Sequence, residues 1–258
     1  MNRKIIDAHI HLDMYEDNER VQILDELEAT SVESLIAVSN NLASSLRQLE
    51  FARMDSRVKP AIGYHPEQSL PSKGELDGIM ELIDENREGL IAIGEVGLPY
   101  YLRQEEPKID IAPYVKLLEH FMQKAVNCEL PIVLHAIYED AELVCDMLES
   151  YHIKHAHFHW FKGDDAVLDR VLRNGYVLSI TPDVTYEQEI QHIVKQTPLS
   201  QLMVETDGPW PFKGHFTEKM THPSMMHRSI KTISDIKGMR VEETYRQIYE
   251  TTLKFYRV

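Results

Sequence analysis

Lys4-Ile5-Ile6-Asp7-Ala8-His9-Ile10-His11-Leu12 is the first apolar run of the chain, and it ends in two histidines one residue apart. Side chains two apart share a face of a β-strand, so as a strand this run presents His9 and His11 to the same cation. The rest of the chain repeats the pattern. Short apolar, β-branched runs recur at Ser34–Ser39, Val58–Tyr64, Leu90–Val96, Pro131–His135, His155–Trp160, Tyr176–Ile180 and Leu202–Glu205. Charged helical stretches separate them, with apolar residues three and four apart. Tyr114, Leu117, Leu118, Phe121, Met122 and Ala125 trace one such stripe. Val167, Leu168, Val171 and Leu172 trace another before an Asn174-Gly175 stop. Strand and helix alternating eight times predict an α/β fold with a parallel sheet. A chain of 258 residues suits closure of that sheet into a (β/α)₈ TIM barrel, whose usual length is roughly 250 residues. An open doubly wound sheet is the alternative, but no Gly-x-Gly-x-x-Gly follows the first strand.

Bulk properties narrow the classes. Hydrophobic residues make up 43% and charged residues 27%, which suits a globular chain with a large core. Arg3 and Lys4 lead straight into the first strand, so no signal peptide is expected, and no run is long enough to cross a membrane. Cys128 and Cys145 both fall in helix-patterned segments and read as buried, reduced thiols of a cytoplasmic protein. A net charge of −15 argues against long tracking along duplex DNA, because phosphate contacts come from basic patches. Bound divalent cations would invert the local field, so a nucleic-acid substrate stays compatible with that charge.

In a barrel of this type, chemistry sits where strands end. The polar residues there form a coherent set: His9 and His11, Asn40-Asn41, His65, Glu95, His135, His157 and His159, and Glu205 with Asp207. A single strand-end histidine usually reads as a hydrogen-bonded core or surface residue. Several imidazoles and carboxylates together suit Zn²⁺, Mn²⁺, Ni²⁺ or Fe²⁺, and the lack of Cys ligands argues against a purely structural zinc site. Glu95 follows Leu90-Ile91-Ala92-Ile93, a run expected to be buried on both faces, where a charge must be paired or metal-bound. Asp207 follows Leu202-Met203-Val204 and shares a face with Glu205. Of that pair Asp207 is expected at the rim, with Glu205 in a supporting hydrogen bond. In the sixth run His159 lies nearer the rim and His157 a layer deeper. His215 and His222 lie in a long loop, Pro209–His222, that reads as substrate-facing; the remaining histidines read as surface, helix or loop residues.

Six segments, in order, resemble the TatD family of metal-dependent hydrolases, within the amidohydrolase-like TIM barrels. They are DAHIHLD (7–13), GYHPE (63–67), GEVGLPYY (94–101), LPIVLHA (130–136), HWFKG (159–163) and ETDGPW (205–210). The resemblance spans almost the whole chain and implies one hydrolase barrel domain over residues 1–258. It implies two divalent ions (Zn, Mn, Mg or Ni), one held by His9, His11 and Asp207 and the other by His135 and His159, with Glu95 between them. It decides for His159 over His157 and places His65 in the substrate pocket. On this reading Asp207 is the general base and His65 donates a proton or hydrogen bond to the leaving group. Asn40 or Tyr100 orients substrate, and Lys162 and Lys213 lie where they can meet an anion.

Four segments depart from the family. Pro99 replaces an Asp, Ala136-Ile137 a small residue with Arg, and Trp160 and Lys162 replace Cys and Ser. Lys219-Met220-Thr221-His222-Pro223 stands where a basic Arg-x-x-Glu/Asn-Pro segment is usual. The proposed ligands are intact while phosphate-side positions are altered. The expected activity is a metal-dependent phosphodiesterase acting on single-stranded or frayed DNA ends. The alternatives are an amidase or esterase acting on a small molecule, and a non-catalytic partner that keeps its metal. The chain is read as a monomer, with a homo-oligomer left open.

Overall fold

The computed structural model describes residues 3–258. Eight strands form one sheet in chain order: β1 (Ile5–Ile10), β2 (Val32–Ala37), β3 (Val58–Ile62), β4 (Ala92–Gly97), β5 (Ile132–His135), β6 (Ala156–Phe158), β7 (Val177–Ile180) and β8 (Leu202–Val204). Each pairs in parallel with the next. Closure comes from the segment just past β8, where Asp207 N–H donates to the His9 carbonyl at 2.9 Å and His11 N–H to the Gly208 carbonyl at 2.8 Å. The result is the expected TIM barrel.

The connecting helices are α1 (Asp17–Glu26), α2 (Leu42–Met54), α3 (Lys73–Asn86), α4 (Tyr100–Glu105), α5 (Ala112–Cys128), α6 (Glu139–Ser150), α7 (Asp165–Arg173), α8 (Gln188–Gln196), α9 (Met226–Lys237) and α10 (Val241–Tyr256). Local chemistry marks their starts: Asn41, Ser72 and Asp164 accept backbone N–H bonds that α2, α3 and α7 would otherwise leave unmade. The stripe expected on α5 is buried in full, and a fully buried side chain such as Phe121 contributes roughly 1.5–3 kcal/mol. On α7, Leu168 and Val171 are buried, and Val167 and Leu172 pack partly against the core.

A second apolar layer lies inside the barrel. It takes Ile6 and Ala8 from β1, Ala61 from β3, Val133 from β5 and Met203 from β8, and Phe255 and Tyr256 of α10 close it from below. The barrel is therefore a filled core whose upper end alone is free for chemistry. Cys128 and Cys145 are buried and unpaired. Among the described residues no helix is long and apolar enough to cross a membrane.

Candidate metal centre

Six of the residues singled out from the sequence converge at the upper end: His9, His11, Glu95, His135, His159 and Asp207. Simple strand alternation does not bring them there by itself. The β1–β2 register shifts between Asp7 and Ile10, the stretch carrying His9, and the β4–β5 register shifts between Ile93 and Val96, the stretch carrying Glu95. An irregularity of this kind re-aims a side chain where plain pleating would point it elsewhere. Gly97 makes the β4–β5 approach possible, since a Cβ there would lie 1.9 Å from the His135 carbonyl oxygen. Asp207 adopts φ = +48°, a left-handed conformation that costs a non-glycine residue about 1–2 kcal/mol. Its N–H bond to His9 and the Trp210 N–H bond to its carbonyl, 3.1 Å, hold it there.

The two oxygens of Glu95, a fully buried carboxylate, face different groups. Oε2 lies 3.1 Å from His9 Nε2 and 3.2 Å from His11 Nε2. Oε1 lies 2.6 Å from His159 Nε2, 3.0 Å from His135 Nδ1 and 3.4 Å from His65 Nε2. Asp207 Oδ1 completes the first side, 3.5 Å from His9 and 3.4 Å from His11. On that side the two Nε2 atoms are 3.4 Å apart; on the other, His135 Nδ1 and His159 Nε2 are 3.3 Å apart.

These atoms fit a cation better than they fit one another. Glu95 Oε2 has two imidazole nitrogens within reach yet makes no hydrogen bond. Donor atoms 2.0–2.2 Å from a tetrahedral ion are separated by about 3.4 Å, the spacing seen among these groups. His9, His11, Glu95 and His9, His159, Asp207 form compact sets able to hold an ion, as do His65, Glu95 and His135.

Burial would raise Glu95, but the rings of His159, His65 and His9 outweigh it and hold the carboxyl well below its usual range. Burial, then His159, lowers His9 to about 4. Burial also opposes a charged His11, yet Asp207 and Glu95 push that ring up to about 10.

Below the cluster, polar groups find partners. His157 sits between the Tyr256 hydroxyl at 2.7 Å and Ser179 Oγ at 2.5 Å, so it is a core histidine. Glu205 accepts the Trp160 N–H at 2.7 Å and pairs with Ser179, as a supporting residue should. Its nearest oxygen is 3.8 Å from His159 Nδ1, too far for a hydrogen bond. Asp7 accepts the Thr206 N–H at 2.9 Å, and burial pushes its carboxyl up to about 7.

A cavity of about 930 Å³ opens over the cluster. Asn40 lines it, but Tyr100 does not; Tyr100 packs against Tyr101 and Tyr138, and the neighbouring Tyr101 faces the cavity instead. Of the loop over 209–222, Pro209, Trp210 and Pro211 reach the cavity, while Phe212 and Phe216 pack with Met225. His215 is exposed away from it, and His222 is buried against Ser224. Lys162 is the one Lys or Arg lining the main cavity among the described residues, its Nζ 5.0 Å from the Trp160 ring. Lys213 borders an adjoining pocket of about 160 Å³. Sequence reasoning passes over Glu67, which accepts a bond from His135 Nε2 at 3.0 Å. The available signal is a carboxylate two residues past the rim histidine His65.

Comparison with known proteins agrees with this architecture. The chain is 34% identical to a protein of Haemophilus influenzae named as an uncharacterized metal-dependent hydrolase, over 98% of this chain and 100% of that one. It is 26% identical to human deoxyribonuclease TATDN3, over 98% of this chain and 94% of that protein. The crystal structure of a TatD homologue from Escherichia coli superposes with a TM-score of 0.90 at 20% identity, covering 100% of both chains. The sequence model described as TatD related DNase matches residues 6–257, and the chain belongs to that family.

Proposed function

We propose that this protein is a divalent-metal-dependent phosphodiesterase that removes nucleotides from unpaired DNA ends. The observation that carries the reading is the split of Glu95, whose two oxygens face separate sets of ring nitrogens, an arrangement suited to a bridge between two ions. His9, His11 and Asp207 would hold one ion, and His135 and His159 the other. Zn²⁺, Mn²⁺, Mg²⁺ and Ni²⁺ all accept nitrogen and carboxylate donors to differing degrees. Such ions supply Lewis acidity toward phosphoryl oxygens and make water acidic enough to react at neutral pH.

The chain's own residues supply the rest. Asp207, at the rim beside His9 and His11, accepts the proton of the attacking water. His65 points Nε2 toward Glu95 Oε1 and the cavity and hydrogen-bonds the departing oxygen. Lys162 meets a phosphate of the substrate. Tyr101 and Trp210, 43% and 60% exposed at the mouth, offer faces on which unpaired bases stack. The TatD related DNase description of the family and the name of the human relative support DNA as the substrate. The charge of −15 supports brief engagement of an end over tracking along a duplex. We read residues 1–258 as one hydrolase domain, and the two unpaired buried thiols support a reducing compartment such as the cytoplasm.

The test is nucleotide release from single-stranded DNA with Mg²⁺, Mn²⁺ or Zn²⁺, beside a panel of dipeptides, lactones and cyclic amides. Release of nucleotides is expected. Turnover of the small amides or lactones with intact DNA would overturn the phosphodiester reading and keep a hydrolase.

A further inference from the structure

Glu67 stands outside the proposed ligand set, yet it touches two of the three histidines on the Oε1 side of Glu95, His135 through its side chain and His65 through its main chain. Its carboxylate is 14% exposed and accepts three bonds: His135 Nε2 at 3.0 Å, Tyr101 N–H at 2.8 Å and Leu102 N–H at 2.7 Å. Its own main-chain N–H donates to His65 Nδ1 at 3.1 Å. The two backbone donors at the start of α4 fix the carboxylate, since neither can rotate away.

A neutral imidazole has one N–H and one lone pair, and a partner at one nitrogen decides what the other offers. Accepting at Nδ1, His65 keeps its proton on Nε2, the atom 3.4 Å from Glu95 Oε1. Donating from Nε2, His135 leaves a lone pair on Nδ1, 3.0 Å from Glu95 and 3.3 Å from His159 Nε2. We propose that Glu67 is a positioning residue that gives these neighbouring rings opposite tasks. Its main chain makes His65 a proton donor, and its side chain makes His135 a lone-pair donor to a cation. The proposal rests on the metal-centre reading above.

The other proposed imidazole ligands lack such a brace. The Nδ1 atoms of His9, His11 and His159 are buried without a hydrogen-bond partner. A carboxylate behind a ligating histidine fixes its tautomer and raises its basicity, and its loss weakens metal binding about 10–100-fold. The effect of losing Glu67 therefore falls on one of the two ion positions. It also separates His65 from the set His65, Glu95 and His135 as a ligand, because the nitrogen it turns inward carries a hydrogen.

The experiment is a calorimetric titration of chelator-treated full-length protein with Zn²⁺, for wild type and Glu67→Gln, with long-range ¹H–¹⁵N spectra of the Zn²⁺-loaded wild type. Two binding events are expected, one of them about 10–100-fold weaker in the variant and the other unchanged. In the spectra His135 should carry its proton on Nε2 with Nδ1 on the metal, and His65 should carry its proton on Nε2 free of metal. A Glu67 that merely capped α4 would lower the melting temperature of Glu67→Gln and leave both affinities alone, which would overturn the proposal. Equal weakening of both events, or a His135 proton on Nδ1, would also overturn it. Should the variant fail to fold, the wild-type spectra decide. Two unbraced, unmetallated rings in a wild type that takes up no Zn²⁺ would remove the metal-centre reading and this proposal with it, whereas two normal events unaffected by Glu67→Gln would remove this proposal alone.

Discussion

His157 and His159 lie two residues apart at the end of β6, and both are buried. His157 has a neutral hydroxyl on each ring nitrogen. His159 has no partner at Nδ1, and its Nε2 lies 2.6 Å from a buried carboxylate and 3.3 Å from another imidazole. The same contrast separates Nδ1 of His9 and His11 and Oε2 of Glu95, which also lack partners, from the layer beneath, where Asp7, Ser179, Glu205 and Thr206 are hydrogen-bonded. Residue type and burial are shared. What differs is satisfaction: buried polar groups are normally paired, and a layer of them turned toward one another unpaired marks the place for something the polypeptide does not supply.

The largest effect should come from taking that component away. Chelation is expected to abolish turnover, and readdition of Zn²⁺, Mn²⁺, Mg²⁺ or Ni²⁺ to restore it; each ion at 100 times its Kd should also stabilise the fold by about 2.7 kcal/mol, read as a fall in Tm on chelation. Persistent turnover in chelator would erase the contrast between the two layers. Asp207→Asn should next lower kcat by about 10²–10⁴-fold with the fold retained, measured by steady-state kinetics and circular dichroism; an unchanged kcat would deny its role as base.

Trp210→Ala tests the mouth above the upper layer. Loss of one stacking face should cost about 1–3 kcal/mol per base, raising KM for an oligonucleotide about 5–150-fold while kcat holds. A raised KM for a small chromogenic phosphodiester as well would show that Trp210 does something other than stack bases.

The smallest effect concerns the lower layer. Burial holds His157 well below its ordinary range, so on acidification the unfolded chain binds a proton that the folded chain refuses. That contribution to stability is present above pH 6.5 and is lost below it, at about 1.4 kcal/mol per pH unit. His157→Gln should flatten this part of the pH dependence, measured by urea denaturation between pH 5 and 8, and leave metal affinity intact. A weakened metal site in this variant would mean that the two layers are one.

Much of this is readable in the chain. The eight runs are strands in the order read, because parallel barrel strands are short apolar runs separated by amphipathic helices. The apolar runs overshoot several strand ends: His11, Tyr64, His159 and Glu205 lie just past the strands, where His11 and His159 leave the ladder to face the cavity while Tyr64 and Glu205 bond to Ser69 and to Trp160 and Ser179. β2 begins two residues before its apolar run because Glu33 interrupts the pattern; that carboxylate pairs with Lys4 and accepts the Tyr249 hydroxyl. The strand-end histidines and carboxylates are legible for the same reason the strands are. Glu67 is not, because its partners depend on how the start of α4 folds back over β3. The exchange of Tyr101 for Tyr100 at the mouth has a similar origin, as α4 is too short to show a periodic face. In the loop over 209–222 no pattern distinguishes the aromatic ring facing the cavity, Trp210, from those packed below, Phe212 and Phe216.

The bonds from Asp207 to His9 and from His11 to Gly208 join the first strand to the turn behind the eighth, positions far apart along the polypeptide. A ribosome-bound chain that has not yet emerged past Gly208 therefore lacks the seam, so the cluster at the barrel mouth can assemble only after the eighth strand and the turn behind it are out. Cleavage that lets the first strand drift from the eighth would part His9 and His11 from Asp207.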